Sequence, residues 1–230
     1  QYCKKNNLLI MFSEEWNKIY KTNLQLSVWP WSDLVSFVNK YRNKKNKNKI
    51  SVLELGCGAG ANIPFFHQLQ YDYYSVEGSS DIVKKLKKKY PKLKQKIKVG
   101  DFTNEIPFKT KFNIIIDRGS MTHNDDLAIK KSLMLISKSL KKGGIFMGFD
   151  WFSKNDSDFK KGDKVDNFTK TNIKTGKLKN VGKIYFTDLK NLKKLFNKWK
   201  ILEIYEKIYK YHKPQKNFKR ASWAIVAKKK

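Results

Sequence analysis

From Ile50 onward, short apolar runs alternate with stretches in which apolar residues return every three or four positions. Residues 50–55 form a run suited to a strand, and a helix is expected from Ala61 to Leu69. Tyr73–Val76 predicts a second strand ending at Glu77, and Ser79 or Ser80 is placed to cap a helix that buries Ile82, Val83, Leu86 and Tyr90 before Pro91 stops it. Lys96–Gly100 reads as a short third strand followed by Asp101, and Phe112–Ile116 as a fully apolar fourth ending at Asp117. A helix over Asp126–Leu140 then meets a glycine turn at Lys141–Gly144, and Ile145–Phe149 supplies a fifth strand. Apolar runs of this kind suit strands buried on both faces, and their alternation with helices predicts a doubly wound parallel sheet. Ligands of such sheets sit outside the carboxyl ends of the strands.

The flanks follow other patterns. Residues 1–49 read as an N-terminal helical cap. Trp16, Ile19 and Tyr20 give one short amphipathic helix, and Leu34, Val35, Phe37, Val38 and Tyr41 give a second, with Ser32 its expected N-cap. These helices are expected to pack on a sheet edge; a lid over the ligand pocket is the other reading. Asn43–Lys49 is a polar connector into the main domain, residues 50–230. Residues 151–183 are lysine-rich and show no period, which predicts a variable insert or functional loop beside the substrate. Thr187-Asp188 opens a last helix, and segments around Trp199–Tyr209 and Ser222–Ala227 read as an antiparallel strand pair.

A length of 230 residues suits one α/β domain with a full core, and 40% hydrophobic residues exclude a disordered chain. The net charge of +30 has two readings, solvated lysine faces from A/T-rich coding or a functional anion-attracting surface. Only three of the 50 basic residues are arginine, whereas a dedicated nucleic-acid reader more often uses arginine's planar fork. Cys3 and Cys57 form neither a disulfide framework nor a zinc cluster. No apolar run approaches the roughly 20 residues of a membrane span, and Leu8–Phe12 is too short for a signal core. A reducing, cytoplasmic setting is the expectation.

The first strand ends in Leu53-Glu54-Leu55-Gly56-Cys57-Gly58-Ala59-Gly60. Glycines at every second position allow a tight turn and close approach to a ligand, and the N–H groups of the next helix add an electropositive end. Gly56-x-Gly58-x-x-Ala61 also fits the loose dinucleotide fingerprint. Glu54 argues against it, since that position is normally apolar in dinucleotide-binding strands and a carboxylate there suits a cationic ligand group.

Together with the terminal antiparallel pair, this turn resembles the first motif of the class I S-adenosylmethionine-dependent methyltransferases, over roughly residues 50–229. The resemblance implies a Rossmann-like seven-stranded sheet of order 3-2-1-4-5-7-6 with strand 7 antiparallel. It also implies S-adenosyl-L-methionine as cofactor, with S-adenosyl-L-homocysteine as product. Glu54, Gly56, Cys57, Gly58 and Gly60 then cradle the cofactor. Glu77, beside Gly78, takes the place of the acid that binds both ribose hydroxyls, and Asp101 with Phe102 takes that of the adenine site. Asp117 and Arg118 fall in the fourth motif, where Asp117 is expected to orient the cofactor's methionine part or the loop itself.

The fourth motif, Asp117-Arg118-Gly119-Ser120-Met121-Thr122-His123, lacks the Pro-Pro-Tyr form of adenine and glutamine N-methylation. It also lacks the Pro-Cys of cytosine C5 chemistry, and looks more like that of small-molecule methyltransferases. His123 is the candidate base for an acceptor hydroxyl; a helix-capping or backbone-bonding role is its other reading. A magnesium site from Asp117, Asn124 and Asp125 is weakly supported, and no metal is expected. The expected activity is methyl transfer to a small acceptor, neutral or anionic, at a hydroxyl oxygen. RNA or protein methylation on the basic surface is the alternative, and intact first motifs count against a non-catalytic subunit.

Overall fold

The computed structural model describes residues 14–21, 27–42, 49–214 and 216–230. Cys3, the Leu8–Phe12 run and most of the Asn43–Lys49 connector lie outside them. The helices are α1 (Glu14–Lys21), α2 (Ser32–Tyr41), α3 (Ile63–Gln68), α4 (Ser80–Lys89), α5 (Asp126–Ser139) and α6 (Leu189–Leu195). The strands are β1 (Ser51–Leu55), β2 (Asp72–Glu77), β3 (Ile97–Val99), β4 (Phe112–Arg118), β5 (Leu140–Phe152), β6 (Asp163–Lys164), β7 (Thr169–Thr171), β8 (Ile184–Tyr185), β9 (Trp199–Lys210) and β10 (Lys219–Lys229).

Side chains alternate across each strand, so the central sheet carries two apolar layers. Val52, Ile114, Ile116 and Met147 face α2, α3 and α4, while Leu53, Leu55, Ile115 and Phe146 face α5 and α6. The sheet has seven strands in the order β3-β2-β1-β4-β5-β10-β9. Its first five strands pair in parallel, and β10 runs antiparallel to both β5 and β9. This is the Rossmann-like order 3-2-1-4-5-7-6 that the resemblance implied. The order reverses beside β1, so β1 and β4 end side by side and open a crevice between their loops. No helix among the described residues is long and apolar enough to cross a membrane.

Several local expectations change. The helix after the glycine turn starts at Ile63, because Gly60 and Ile63 close tight turns onto Cys57 and Gly60, and Pro64 occupies the first helical turn. With only six residues, α3 brings less electropositive character to the turn than a longer helix would. Trp31, not Ser32, is the N-cap of α2 and makes no side-chain cap bond. The glycine turn at Lys141–Gly144 does not end α5. Leu140 is already extended and pairs with Phe112, and the next paired residue of β5 is Ile145, opposite Ile114, so Lys141–Gly144 form an irregularity within the strand.

Helix α2 reaches the edge strand β9, where Phe37 stacks on Tyr205 and Lys40 and Tyr41 meet Glu203, and it also covers one face of the sheet. Leu34, Phe37 and Val38 of α2 pack over the face formed by β4, β5 and β10, with Phe37 meeting Phe149 and Tyr205. The 151–183 stretch is ordered, with β6, β7 and β8 forming a small antiparallel sheet. Phe152, Ile173, Leu178, Ile184 and Phe186 give it a satellite core of its own. Phe186 is fully buried there against Phe152 and Phe159. Phe186→Ala is therefore expected to cost about 3–5 kcal/mol in urea unfolding; a loss near zero would mean that the insert contributes nothing to the fold.

Candidate active site

The turn after β1 works by backbone geometry. Gly56, Gly58 and Gly60 all have positive φ, at 64°, 49° and 79°. A Cβ on Gly56 would stand 2.4 Å from that of Ser120, so only glycine lets the end of β1 touch the loop after β4. A Cβ on Gly60 would meet Leu86 and Ile63 at 2.7 and 2.8 Å, so Gly60 sets the packing behind the turn. Gly58 is left facing the crevice, and its N–H donates to Glu77 Oε2 at 2.9 Å.

Acids close the ends of the central strands. Glu77, 2% exposed, also accepts from the Ser79 N–H at 3.0 Å; burial raises its pKa and these N–H groups oppose the rise. Glu54, 3% exposed, accepts from Asn62 Nδ2 at 2.7 Å and from the Tyr73 hydroxyl at 2.5 Å, yet burial still pushes it up to about 7. Asp101 holds its own loop, accepting from the N–H and hydroxyl of Thr103 and from Asn104. Asp117 turns away from the crevice. Burial raises it to about 6, and it accepts from Ser120, the Met121 N–H and Trp151 Nε1. Of its two expected roles, its bonds are those of a loop anchor.

Beyond β4 the wall is built from charge pairs and rings. The Arg118 guanidinium lies 3.3 Å from the Trp31 ring centroid and pairs with Asp150 at 3.1 Å. Asp150 has a φ of 54° at an irregularity in the β5–β10 pairing, which turns its carboxylate toward Arg118 and toward Lys207, itself paired with Asp33. His123 ends a single 3-10 turn and meets Trp16 of α1 and Phe152 edge-on, at 4.7 and 5.9 Å. Burial lowers its pKa to about 4, although a hydrogen bond to the Lys183 backbone favours the charged form, and its Nδ1 is buried without a partner. Asn124 donates to the Met121 carbonyl, while Asp125 caps α5 and pairs with Lys183. Asp117, Asn124 and Asp125 therefore serve separate structural contacts, and among the described residues no three His, Cys, Asp or Glu side chains group around a metal position.

These walls line a half-open cavity of about 660 Å³. Glu54, Gly56, Cys57, Gly58, Glu77, Gly78, Asp101, Phe102, Arg118 and His123 line it, while Gly60 and Asp117 stand behind it as supports. Sequence reasoning missed Tyr20, Asp150, Lys207 and Arg220, which also line it. Asp150 carried a usable signal, because it follows an apolar strand as Glu77 and Asp117 do. Trp16 and Tyr20 were legible as an apolar helix stripe, and their contact with the cavity makes α1 part of its wall.

A parallel-centred sheet of this order, with a glycine turn on β1 and a buried acid ending β2, defines the Rossmann-like methyltransferase class. The family model described as a methyltransferase domain matches residues 29–221, and the chain belongs to that family. It is an S-adenosylmethionine-dependent methyltransferase. TehB from Haemophilus influenzae aligns with a TM-score of 0.62 at 16% identity, over 92% of this chain and 66% of that one. An S-adenosylmethionine-dependent methyltransferase from Clostridium acetobutylicum aligns at 0.61 and 14%, over 93% and 96%. The Burkholderia thailandensis 1,6-didemethyltoxoflavin-N1-methyltransferase, with bound 1,6-didemethyltoxoflavin and S-adenosylhomocysteine, aligns at 0.59 and 13%, over 86% and 77%. At these identities the likeness is one of fold. No curated protein matches the sequence.

The donor set fits the cofactor. Buried carboxylates at one end of the cavity complement a cation bearing hydroxyls, and Gly58 presents a wall without a side chain. The Glu54 shift also has a measurable sign. Its folded pKa of about 7 lies above the ordinary 4.5, so its contribution to stability is full below pH 4.5 and lost as pH rises through 7. Glu54→Gln removes that dependence. Relative to wild type its stability should rise by on the order of 3 kcal/mol between acid and mildly alkaline pH, read by urea unfolding across a pH series. Parallel curves for the two proteins would show that Glu54 does not titrate in this way.

Proposed function

We propose that this methyltransferase acts on a small molecule at a hydroxyl oxygen and that His123 receives the hydroxyl proton. The observation that carries the reading is the shape of the cavity, which runs from Glu77 to His123 between the glycine turn, α1 and the insert. A concave pocket of this volume suits a compact acceptor. We assign the reaction to a reducing, cytoplasmic setting, where Cys57 stays a free thiol.

In this reading Glu77 accepts from the ribose hydroxyls, Asp101 and Phe102 border the adenine, and the Gly56–Gly58 backbone lies against the rest of the cofactor. Glu54 acts on the cofactor's cationic portion through its frame of Asn62 and Tyr73, and Asp117 holds the loop that carries Arg118 and His123. S-adenosylmethionine supplies a methyl carbon on a sulfonium: as the acceptor oxygen bonds to that carbon, the carbon–sulfur bond breaks and its electron pair stays on sulfur in the neutral thioether. Because that methyl group is already activated, holding the acceptor in line provides most of the acceleration. His123 takes the proton that the oxygen releases and passes it to water. Its low pKa makes it a weak base, but a newly alkylated hydroxyl is a very strong acid, and a neutral imidazole is ready to accept from it across the working pH range.

Glu77→Ala should weaken S-adenosylmethionine binding by about tenfold or more in calorimetry, the loss of a charged hydrogen-bonding partner; equal affinity in both proteins would remove Glu77 from the cofactor site. His123→Ala should lower kcat by about 10²–10⁴-fold with cofactor affinity retained. Since protonation disables the base, the wild-type rate should fall on acidification near pH 4 and not near the ordinary 6.5. Unchanged turnover in the variant would leave His123 a structural residue.

A further inference from the structure

Of the 50 basic residues three are arginine, and two of these, Arg118 and Arg220, line the cavity. Lysine offers a point charge, whereas arginine offers a planar fork that matches a carboxylate. The Arg118 fork is engaged by Trp31 and Asp150, and Lys207 is held by Asp33 and Asp150. Arg220 is less committed. It lies 4.7 Å from the Phe152 ring centroid, and its Nη1 is buried with no hydrogen-bond partner. The Asp156 carboxylate stands 3.5 Å from Nη1 but already accepts from the N–H groups of Asp158 and Ala221. The same Phe152 ring meets His123 edge-on, and His123 Nδ1 is likewise buried and unpartnered. A cationic donor held by one long ion pair and a neutral acceptor without a partner thus flank one phenyl ring in the cavity wall.

We propose that the acceptor is a small hydroxy acid whose carboxylate pairs with Arg220 while its hydroxyl donates to Nδ1 of His123. This rests on the hydroxyl-acceptor reading above and adds the substrate's charge. Buried polar atoms short of hydrogen bonds are expensive, and such a ligand gives Nδ1 a donor and the Arg220 fork a second carboxylate beside Asp156. The charges in the cavity are divided accordingly. Glu54, Glu77 and Asp101 gather at the glycine-turn end, whereas Asp33 and Asp150 are each matched by a cation. Phe149, Phe152, Leu178 and Val181 line the rest and suit an apolar body such as an aromatic ring. The hydroxyl oxygen takes the methyl carbon and gives up its proton to His123, while the carboxylate stays on Arg220. The product is an ether acid and not a methyl ester.

The test is calorimetry on protein saturated with S-adenosylhomocysteine, using ortho-, meta- and para-hydroxybenzoate, mandelate and the methyl ester of each. At least one acid should bind about tenfold or more tightly than its ester, the worth of a charged hydrogen-bonded pair. Arg220→Gln should erase that ratio while S-adenosylhomocysteine affinity holds. Arg220→Lys keeps the charge beside Asp156, guards against a folding artefact, and should lose most of the preference with the fork. Binding of esters as tight as acids, binding of no acid, a ratio that survives both substitutions, or mass-spectrometric detection of a methyl ester as product would each overturn the proposal. The outcomes separate from the functional reading itself. Failure of the cofactor site appears as no S-adenosylhomocysteine binding in wild type, and failure of the base assignment as normal transfer by His123→Ala despite an intact acid preference.

Discussion

Carboxylates cut off from water at the ends of the central strands set the terms for the rest of this molecule. An isolated charge in such a place is prohibitive, so each acid is surrounded by donors that the fold must deliver. Glu77 needs the N–H groups of Gly58 and Ser79, Glu54 needs Asn62 and Tyr73, and Asp117 needs Ser120, Met121 and Trp151. These donors come from the glycine turn, from β2, from the loop after β4 and from the far end of β5. The turn cannot relax without stranding an acid, which ties the chemistry of the crevice to the stability of the sheet.

What was legible in the sequence was local. Glu77 and Asp117 each directly follow a strand-forming run and Asp101 follows a short strand closed by Gly100, so all three could be placed by reading a few residues. The parallel core followed from the same runs. The insert was illegible because its core residues stand far apart among lysines. Phe152, Ile173, Leu178, Ile184 and Phe186 converge only through a sheet whose strands are two or three residues long, too short for a period to show. The directions of the acids were equally hidden. Asp117 and Glu77 both end apolar strands, yet one points behind the crevice toward Trp151 and the other lines it. That choice depends on which face of the sheet each residue meets and on the indole of a residue far along the chain.

Charge illustrates the difference between composition and placement. The +30 total describes a surface of lysines that solvent screens, and it gives no position. At the end of the cavity away from the glycine turn, charge is arranged in pairs, with Arg118, Asp150, Lys207 and Asp33 forming one chain of contacts from β4 to β9 and the start of α2. Removing any one member would leave the others imperfectly matched in a partly buried wall, so this chain helps hold α2 against the sheet as well as shaping the site.

The contact between Gly56 and Ser120 carries a further consequence. The Ser120 hydroxyl bridges the Leu55 carbonyl and Asp117, so the glycine turn and the loop that leads to His123 share one bonded junction. With no side chain between them, a displacement of either backbone is felt by the other. The end of β1 and the loop after β4 therefore move as one piece, and a change at either end of the cavity reaches the other through this junction. The missing Cβ of one glycine thus joins two loops of the crevice into a single mechanical part.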